Sequence, residues 1–264
     1  MAIPVLGDYE YQFREDGIKL NSSAVLPFID VISVTGLDMA EVDVSEVDID
    51  GTHGGVVSAA FFKSRTIVID CIIYADPYTV DATLDALQTN YLPGPEAPFF
   101  FKGAGIGQRF LNCKSLGIKY NLDSLRRIGS CTAQIQLKAA DPVKYVETKV
   151  NLTNNANASV VNAGNMATWP IFRVASGAYT AITFTNTTYN KSLKATLPAT
   201  TSTILDVDFN KKMIYVNGIR NSSILGNGVV DWWAIQRGAN QIKYALTGAG
   251  TVPTVALTWR SGWA

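Results

Sequence analysis

Hydrophobic and polar residues alternate regularly in two segments of the first half of the chain. Residues 66–74 and 130–138 each carry one apolar face, formed in the first by Ile67, Ile69, Cys71 and Ile73 and in the second by Cys131, Ala133, Ile135 and Leu137. A period of two residues is typical of a β-strand with one buried face. We therefore predict a strand at each segment.

Apolar residues at the spacing of an α-helix lie between these two predicted strands. Positions i, i+4, i+7 and i+11 of one helical stripe are occupied by Val80, Leu84, Leu87 and Tyr91. Thr79 is a suitable N-cap, and Asp81 in the first turn favours the positive end of the helix dipole. The Pro93-Gly94-Pro95 sequence ends the helix. The first half is therefore predicted to be β-rich with a single packed helix.

A domain boundary is predicted at Asp141-Pro142. Proline lacks the amide hydrogen that a strand needs, so the second strand ends here and a new β region begins at Val146. From there short β segments alternate with turns rich in Gly, Asn and Pro. At 264 residues and 47% hydrophobic composition, the chain can bury a large core in two domains. We predict a mainly β protein with domains at residues 1–145 and 146–264.

The distribution of charge changes at the same boundary. Residues 1–145 contain 12 Lys and Arg against 18 Asp and Glu, a net charge of −6. Residues 146–264 contain 10 against 4, a net charge of +6, so the formal charge of the whole chain is zero. The two halves are expected to face different surroundings.

An acidic pattern in residues 41–50 changes phase once. The acids alternate with Val and Ile, and the alternation shifts by one position after Ser45. A β-bulge at Ser45-Glu46 would keep all the acids on one face of a hairpin whose tip is the glycine-containing segment 51–55. We call these residues the acidic set, which consists of Glu41, Asp43, Glu46, Asp48 and Asp50.

The second half contains a series of short sequence motifs, and their order along the chain indicates a family. They are Trp169-Pro170-Ile171-Phe172, Ile204-Leu205-Asp206-Val207-Asp208, Met213-Ile214-Tyr215-Val216-Asn217-Gly218, Trp232-Trp233-Ala234-Ile235, Gly238-Ala239-Asn240-Gln241-Ile242 and Val255-Ala256-Leu257-Thr258-Trp259. This order resembles the C-terminal galectin-like jelly-roll β-sandwich of the distal tail proteins of siphoviruses, the long-tailed, non-contractile bacteriophages. The resemblance extends to the first half through segments 51–55, 65–69 and 141–145.

The resemblance implies a structural hub protein of the virion and not an enzyme. Six subunits would form a ring that joins the tail tube protein to the tail-tip or baseplate hub and the receptor-binding proteins, after assembly in the host cytoplasm. The N-terminal domain, a β-sandwich or split-barrel-like fold with one α-helix, would form the annulus through which DNA passes without specific binding. The galectin-like domain would project outward. Such a ring closes through heterologous contacts between different surfaces of neighbouring subunits.

Two sets of interaction residues follow as hypotheses. If the acidic set faces the lumen, six copies would repel DNA phosphates and keep the passing genome from adsorbing. The competing interpretation is a solvated hairpin face that prevents edge pairing. Trp232 and Trp233 are candidates for binding a tail-tip partner, because one of two adjacent side chains in a strand points outward.

Catalytic, metal-binding and cofactor-binding residues are not predicted. The single histidine, His53, lies in a Gly-rich turn with no nucleophile elbow nearby. Asp206 and Asp208 are better explained by a strand entering a turn than by a glycosidase carboxylate pair. No apolar run is long enough to insert into a membrane. Buried reduced thiols, without metal-ligand spacing, are predicted for Cys71, Cys113 and Cys131.

A carbohydrate-binding module used in host adhesion is the alternative function. Sugar sites use exposed aromatic platforms, and the second half contains Trp169, Trp232, Trp233, Trp259 and Trp263. It lacks the histidine and the polar cluster with which galectins bind sugar, so a galectin-like fold does not imply lectin activity. A tail tube protein is a nearer competitor, but such a subunit would not need residues 146–264.

Overall fold

The contacts along the chain define two compact units, which we call the N-terminal unit, Met1–Lys144 with Ala264, and the C-terminal unit, Tyr145–Trp263. The computed structural model describes residues 3–22, 26–49, 53, 55–121, 124–197, 203–225, 230–248, 250 and 252–264. In the N-terminal unit the elements are β1 (Tyr11–Phe13), β2 (Lys19–Leu20), β3 (Phe28–Thr35), β4 (Val42–Asp48), β5 (Gly55–Phe62), β6 (Arg65–Tyr74), α1 (Val80–Asn90), β7 (Ala97–Phe101), β8 (Arg109–Asn121), a 3-10 turn (Ser124–Ile128) and β9 (Ser130–Ala139).

The N-terminal unit is built on an antiparallel sheet in the order β3-β6-β9-β8. Both strands predicted from the period of two are confirmed, and they pair with each other in register from Arg65 opposite Ala139 to Tyr74 opposite Ser130. Further pairs extend from β8 through β7 and β1 to β2. By contrast, β4 and β5 pair with each other as a separate two-stranded hairpin.

Helix α1 is confirmed at the predicted position. Leu84 and Leu87 are buried in the core that the sheet provides, and the Tyr120 hydroxyl on β8 donates a hydrogen bond to the Leu84 carbonyl at 2.7 Å. Thr79 is the N-cap residue but makes no side-chain cap, because its hydroxyl donates to the Asp76 carbonyl instead. The role predicted for the Thr79 side chain was therefore wrong.

The C-terminal unit is a sandwich of two antiparallel sheets. Its elements are β10 (Lys144–Leu152), β11 (Ala158–Asn162), β12 (Ile171–Gly177), β13 (Ala181–Asn186), β14 (Lys191–Thr196), β15 (Thr203–Asp208), β16 (Met213–Val216), β17 (Ile219–Arg220), a 3-10 turn (Ser223–Leu225), β18 (Gly238–Thr247) and β19 (Val255–Trp263). One sheet has the order β11-β18-β13-β14 and the other contains β17-β16-β15-β12-β19. The core between them is aliphatic and aromatic, with Phe172, Phe184 and Phe209 fully buried. The mainly β fold class is confirmed.

All three cysteines are reduced thiols buried in the N-terminal unit, as the sequence predicts. Burial raises the pKa of both Cys71 and Cys113 to about 12. Among the described residues, no helix combines the length and the apolar character that crossing a membrane requires.

Candidate functional site

The described members of the acidic set lie on and beside the β4–β5 hairpin. The pairing register shifts between Ser45 and Glu46, so the bulge predicted at this position is confirmed. The extra residue is Ser58 on β5, because Ser45 pairs with Ala59 and Glu46 with Val57. Since β4 itself gains no residue, alternation along it places Asp43 and Glu46 on opposite faces of the hairpin. The bulge therefore does not bring the whole acidic set onto one face.

Two members of the acidic set share a counterion at the base of the hairpin. The Lys63 ammonium lies 3.1 Å from Glu41 Oε1 and 3.7 Å from Asp43 Oδ1. The Lys63 amide also donates to the Glu41 carbonyl at 2.8 Å. The hydrogen bond with Glu41, followed by the charges of Glu41 and Asp43, raises the pKa of Lys63. Glu46 is exposed, while Asp50 lies outside the described residues.

The hairpin also exposes large apolar side chains, which the sequence did not single out. Phe61 is 70% exposed, and Val44, Val57 and Phe62 are exposed as well. Exposed apolar groups that form a contiguous patch are typical of interaction sites, so the hairpin is a candidate for one. Phe61 pairs directly with Asp43, so one face carries both apolar and acidic groups.

Buried cations hold the segment that leads into the hairpin. Arg65 Nη1 donates to the carbonyls of Gly36 and Asp38 at 3.2 and 2.8 Å, and Lys144 Nζ donates to those of Leu37 and Asp38 at 3.0 and 3.2 Å. Burial lowers the pKa of both side chains. Gly36 has φ +84°, and a Cβ there would lie 2.1 Å from the Thr66 carbonyl oxygen. Only glycine therefore allows this approach.

The two tryptophans predicted to bind a partner both pack against the core. Trp233 is 5% exposed, and its ring lies 5.8 Å from that of Phe172 and 4.7 Å from that of Phe209. Trp232 is half-buried and packs edge-on against Phe209 at 5.3 Å. Neither residue lies in a strand, so the expected alternation between inward and outward positions does not apply.

A different tryptophan faces outward. Trp169 is 38% exposed, and it precedes β12 in a run where buried and exposed residues alternate from Thr168 to Val174. The Thr168 and Ile235 backbones exchange hydrogen bonds of 3.0 and 2.7 Å, which fix this segment beside the Trp232-Trp233 stretch. The sequence does not show this alternation, because residues 169–172 are all apolar, so Trp169 could not have been singled out from the sequence.

Asp206 and Asp208, the two aspartates of β15, occupy structural positions. Asp208 accepts a hydrogen bond from the Lys211 amide at 3.0 Å, as expected for a strand that enters a turn. Asp206 lies 3.7 Å from Arg173 across the sheet. His53 is exposed. Within the described part of the chain, no three His, Cys, Asp or Glu side chains form a group that could hold a metal ion.

The described residues form a mainly β chain with one helix in the N-terminal unit, an exposed hairpin and a C-terminal sandwich. Residues 163–263 match the family model described as siphovirus-type tail component, C-terminal domain. The match covers the C-terminal part of the chain and, with the similarity in fold to SPP1 Dit, confirms the resemblance to distal tail proteins. A comparison of the sequence with curated proteins found no match.

Three solved structures of bacteriophage proteins are similar in fold to this chain. The Dit protein of phage SPP1, described as a paradigm of the hub adsorption apparatus in phages that infect Gram-positive bacteria, matches with TM-score 0.70 and 18% identity, over 98% of this chain and 100% of that chain. A chain of the phage P2 baseplate in its activated conformation with Ca matches with TM-score 0.56 and 9% identity, over 95% and 97%. The corresponding baseplate with Sr gives TM-score 0.56 and 9% identity, over 96% and 98%.

Proposed function

We propose that this chain is the distal tail hub protein of a siphovirus. It forms a hexameric ring that joins the tail tube to the tail-tip or baseplate hub and the receptor-binding proteins, and it is assembled in the host cytoplasm before becoming part of the virion. The observation that carries this proposal is the similarity in fold to SPP1 Dit, which spans 98% of this chain and the whole of that protein.

In this proposal the two domains have different tasks. Residues 1–145 form the ring, and residues 146–264 form a galectin-like domain that holds other tail components. A ring of identical subunits needs two different complementary surfaces on each subunit. The β4–β5 hairpin is suited to be one of them, because Phe61 and Val57 are exposed on it. Stable contacts of this kind bury roughly 2,000 Å² or more in total.

The acidic set gives the ring a second property. If the hairpin extends into the lumen so that DNA passes both of its faces, Glu41, Asp43, Glu46, Asp48 and Asp50 present negative charge to the DNA, which therefore gains no counterion release by adsorbing. Lys63 neutralises part of the charge at the base of the hairpin. The competing role is a solvated hairpin face that blocks pairing with foreign strands.

The test is the native mass of the purified chain by light scattering, with negative-stain images of the same peak. The expected species has a mass of about 171 kDa, six times 28.5 kDa, and appears as a ring with an open centre. Phe61→Ser should shift the mass to smaller species, whereas Val161→Ser, another exposed apolar position in the C-terminal unit, should not. A chain that stays monomeric even with its tail tube and tail-tip proteins present would contradict the proposal.

A further inference from the structure

The two sheets of the C-terminal unit have outward faces of very different composition. On the β17-β16-β15-β12-β19 sheet, the outward residues include aromatic, aliphatic and arginine side chains. We call this surface the arginine–aromatic face, and its defining residues are Trp169, Ile171, Arg173, Met213, Tyr215 and Arg220. On the opposite sheet, β11-β18-β13-β14, Val161 is an exposed apolar residue, and the other outward residues include Thr183, Thr185, Ser192, Lys194, Gln241 and Lys243.

Strand register brings the residues of the arginine–aromatic face together. One row of cross-strand neighbours runs Thr258, Ile171, Asp208, Met213. The next row runs Ala256, Arg173, Asp206, Tyr215, Arg220. Neighbouring strands are about 4.8 Å apart, so these side chains form one continuous surface. Trp169 is exposed two residues before Ile171 along the chain, so it lies next to the first row on the side away from Arg173.

The composition of this face is that of a protein interface. Trp, Tyr, Met and Arg are enriched in protein–protein contacts, whereas Lys and Ser are depleted. Trp, Tyr and Arg also dominate the residues whose truncation costs most binding energy. The opposite sheet, with its Thr, Ser, Lys and Gln side chains, has the composition of a solvated surface. This difference in composition between the two outward faces indicates that the arginine–aromatic face binds a protein partner and the opposite face is solvated.

The uncompensated charge on and beside the arginine–aromatic face is positive. Its carboxylates already have basic partners: Asp206 lies 3.7 Å from Arg173, and Asp208 lies 3.7 Å from Lys211. Within the described residues, Arg220 and Lys212 take part in no ion pair, and both are exposed at the β15–β17 end of this sheet. A partner that supplies carboxylates beside an apolar group would complement this arrangement.

We propose that the arginine–aromatic face docks a tail protein other than this chain, through a segment with acidic side chains around an apolar residue. The inference rests on the proposed function, in which residues 1–145 make the ring contacts and leave the C-terminal unit to hold another component. Trp169, Ile171 and Tyr215 contact the apolar residue, and Arg220 pairs with a carboxylate. In this inference, the residues of the arginine–aromatic face replace Trp232 and Trp233 as the partner-binding residues.

Site-specific photocrosslinking in assembled tails tests this inference. A benzophenone amino acid is introduced at Tyr215 in the phage that encodes the chain, and in a matched variant at Thr185, which is also half-exposed but lies on the opposite sheet. Purified tails are irradiated and crosslinked peptides are identified by mass spectrometry. We expect position 215 to crosslink to a different tail protein at a peptide containing Asp or Glu, and position 185 not to. The same label at Ile171 repeats the measurement should the Tyr215 variant fail to fold.

Charge reversal provides a second readout. Arg220→Glu should reduce the crosslink from position 171 about tenfold or more, whereas Lys243→Glu, the same change of charge on the opposite sheet, should leave it unchanged. Equal crosslinking from both faces, or crosslinks only to copies of this chain, would overturn the inference. So would glycan binding by the purified chain that Trp169→Ala abolishes, since the face would then be a sugar site. If the chain is absent from purified tails, the proposed function fails; if it is present without the crosslink, the inference alone fails.

Discussion

The rings of Phe172 and Phe184 lie 4.2 Å apart, centroid to centroid, and connect the two sheets of the C-terminal unit. Phe172 belongs to β12 and Phe184 to β13, and both are fully buried. Phe209 and Trp233 also pack against the Phe172 ring, with centroids 5.4 and 5.8 Å away. Phe172 is therefore a central contact of the sandwich core.

Replacing this ring should destabilise the C-terminal unit strongly. Phe172→Ala is expected to lower the free energy of unfolding by about 3–5 kcal/mol, because it removes buried apolar surface and leaves a cavity. Thr183→Ala, on an outward face, should change it by less than about 0.5 kcal/mol. Guanidinium denaturation followed by tryptophan fluorescence measures both values. Similar losses in the two variants would show that Phe172 does not have this role.

The two adjacent tryptophans should differ in solvent access. Trp233 is buried and Trp232 is half-buried, so acrylamide should quench Trp232 more effectively. Trp232→Phe is expected to lower the quenchable fraction of the fluorescence, whereas Trp233→Phe should leave it nearly unchanged. Trp233 Nε1 has no hydrogen-bond partner within the described structure, so Trp233→Phe sacrifices no hydrogen bond. A larger drop for Trp233 would restore it as a candidate contact residue.

The buried thiols should be unreactive in the folded protein. Burial raises the pKa of Cys71 and Cys113 from an ordinary value of 9.0 to about 12. At pH 8 a thiol reagent should therefore modify these positions only after denaturation. Because the unfolded chain releases these protons first, the stabilising contribution of the two thiols is fully present below pH 9 and is lost between pH 9 and about 12. Rapid labelling of the native protein at pH 8 would contradict this.

The pKa of Lys144 should depend on the charge of Arg65. Burial lowers the pKa of Lys144, and the charges of Arg65 and Arg109 lower it further. Arg65→Met should therefore raise the pKa of Lys144, as measured by NMR of lysine labelled at Cε. Arg126→Met, which removes an exposed arginine of the same unit, is the control and should leave it unchanged.

The sign of the associated pH dependence follows from linkage. In the wild type, the unfolded chain binds the Lys144 proton more tightly than the folded chain does. The contribution of Lys144 to the free energy of unfolding therefore rises with pH between the lowered pKa of the folded state and 10.5. In Arg65→Met this rise should be smaller. An identical rise in both proteins would show that the two cations do not interact.

Reversing charges in the acidic set should create DNA adsorption. A ring carrying Asp43→Lys and Glu46→Lys is expected to retard DNA in a gel at low salt and to release it as salt is raised, because adsorption to lysine is driven by counterion release. The wild-type ring should not retard DNA. Asp85→Lys with Glu96→Lys changes the net charge equally at exposed positions outside the hairpin. If this control retards DNA to the same extent, the acidic set has no special position in the lumen.

Local patterns in the sequence were sufficient for many individual elements. The stripe from Val80 to Tyr91 predicted helix α1, and the alternation at 66–74 predicted β6 with its buried face. The phase change at Ser45 predicted the register shift in the hairpin. Each of these features depends on residues a few positions apart, since the period of the side chains is determined by the backbone of the element itself. The order of short sequence motifs in the second half was likewise readable and indicated the distal tail family.

The tertiary structure alone decided which of these faces are covered. Trp232 and Trp233 pack against Phe209 because that ring, more than twenty positions earlier in the chain, is brought beside them by the sandwich. Phe61 is exposed because β4 and β5 pair as a separate hairpin, and Ser58 on β5, not a residue of β4, absorbs the register shift. Arg65 and Lys144 meet at the Asp38 carbonyl although they are far apart in sequence. The burial of a side chain depends on contacts with segments that are distant in the sequence. A periodic pattern within one segment therefore does not determine it.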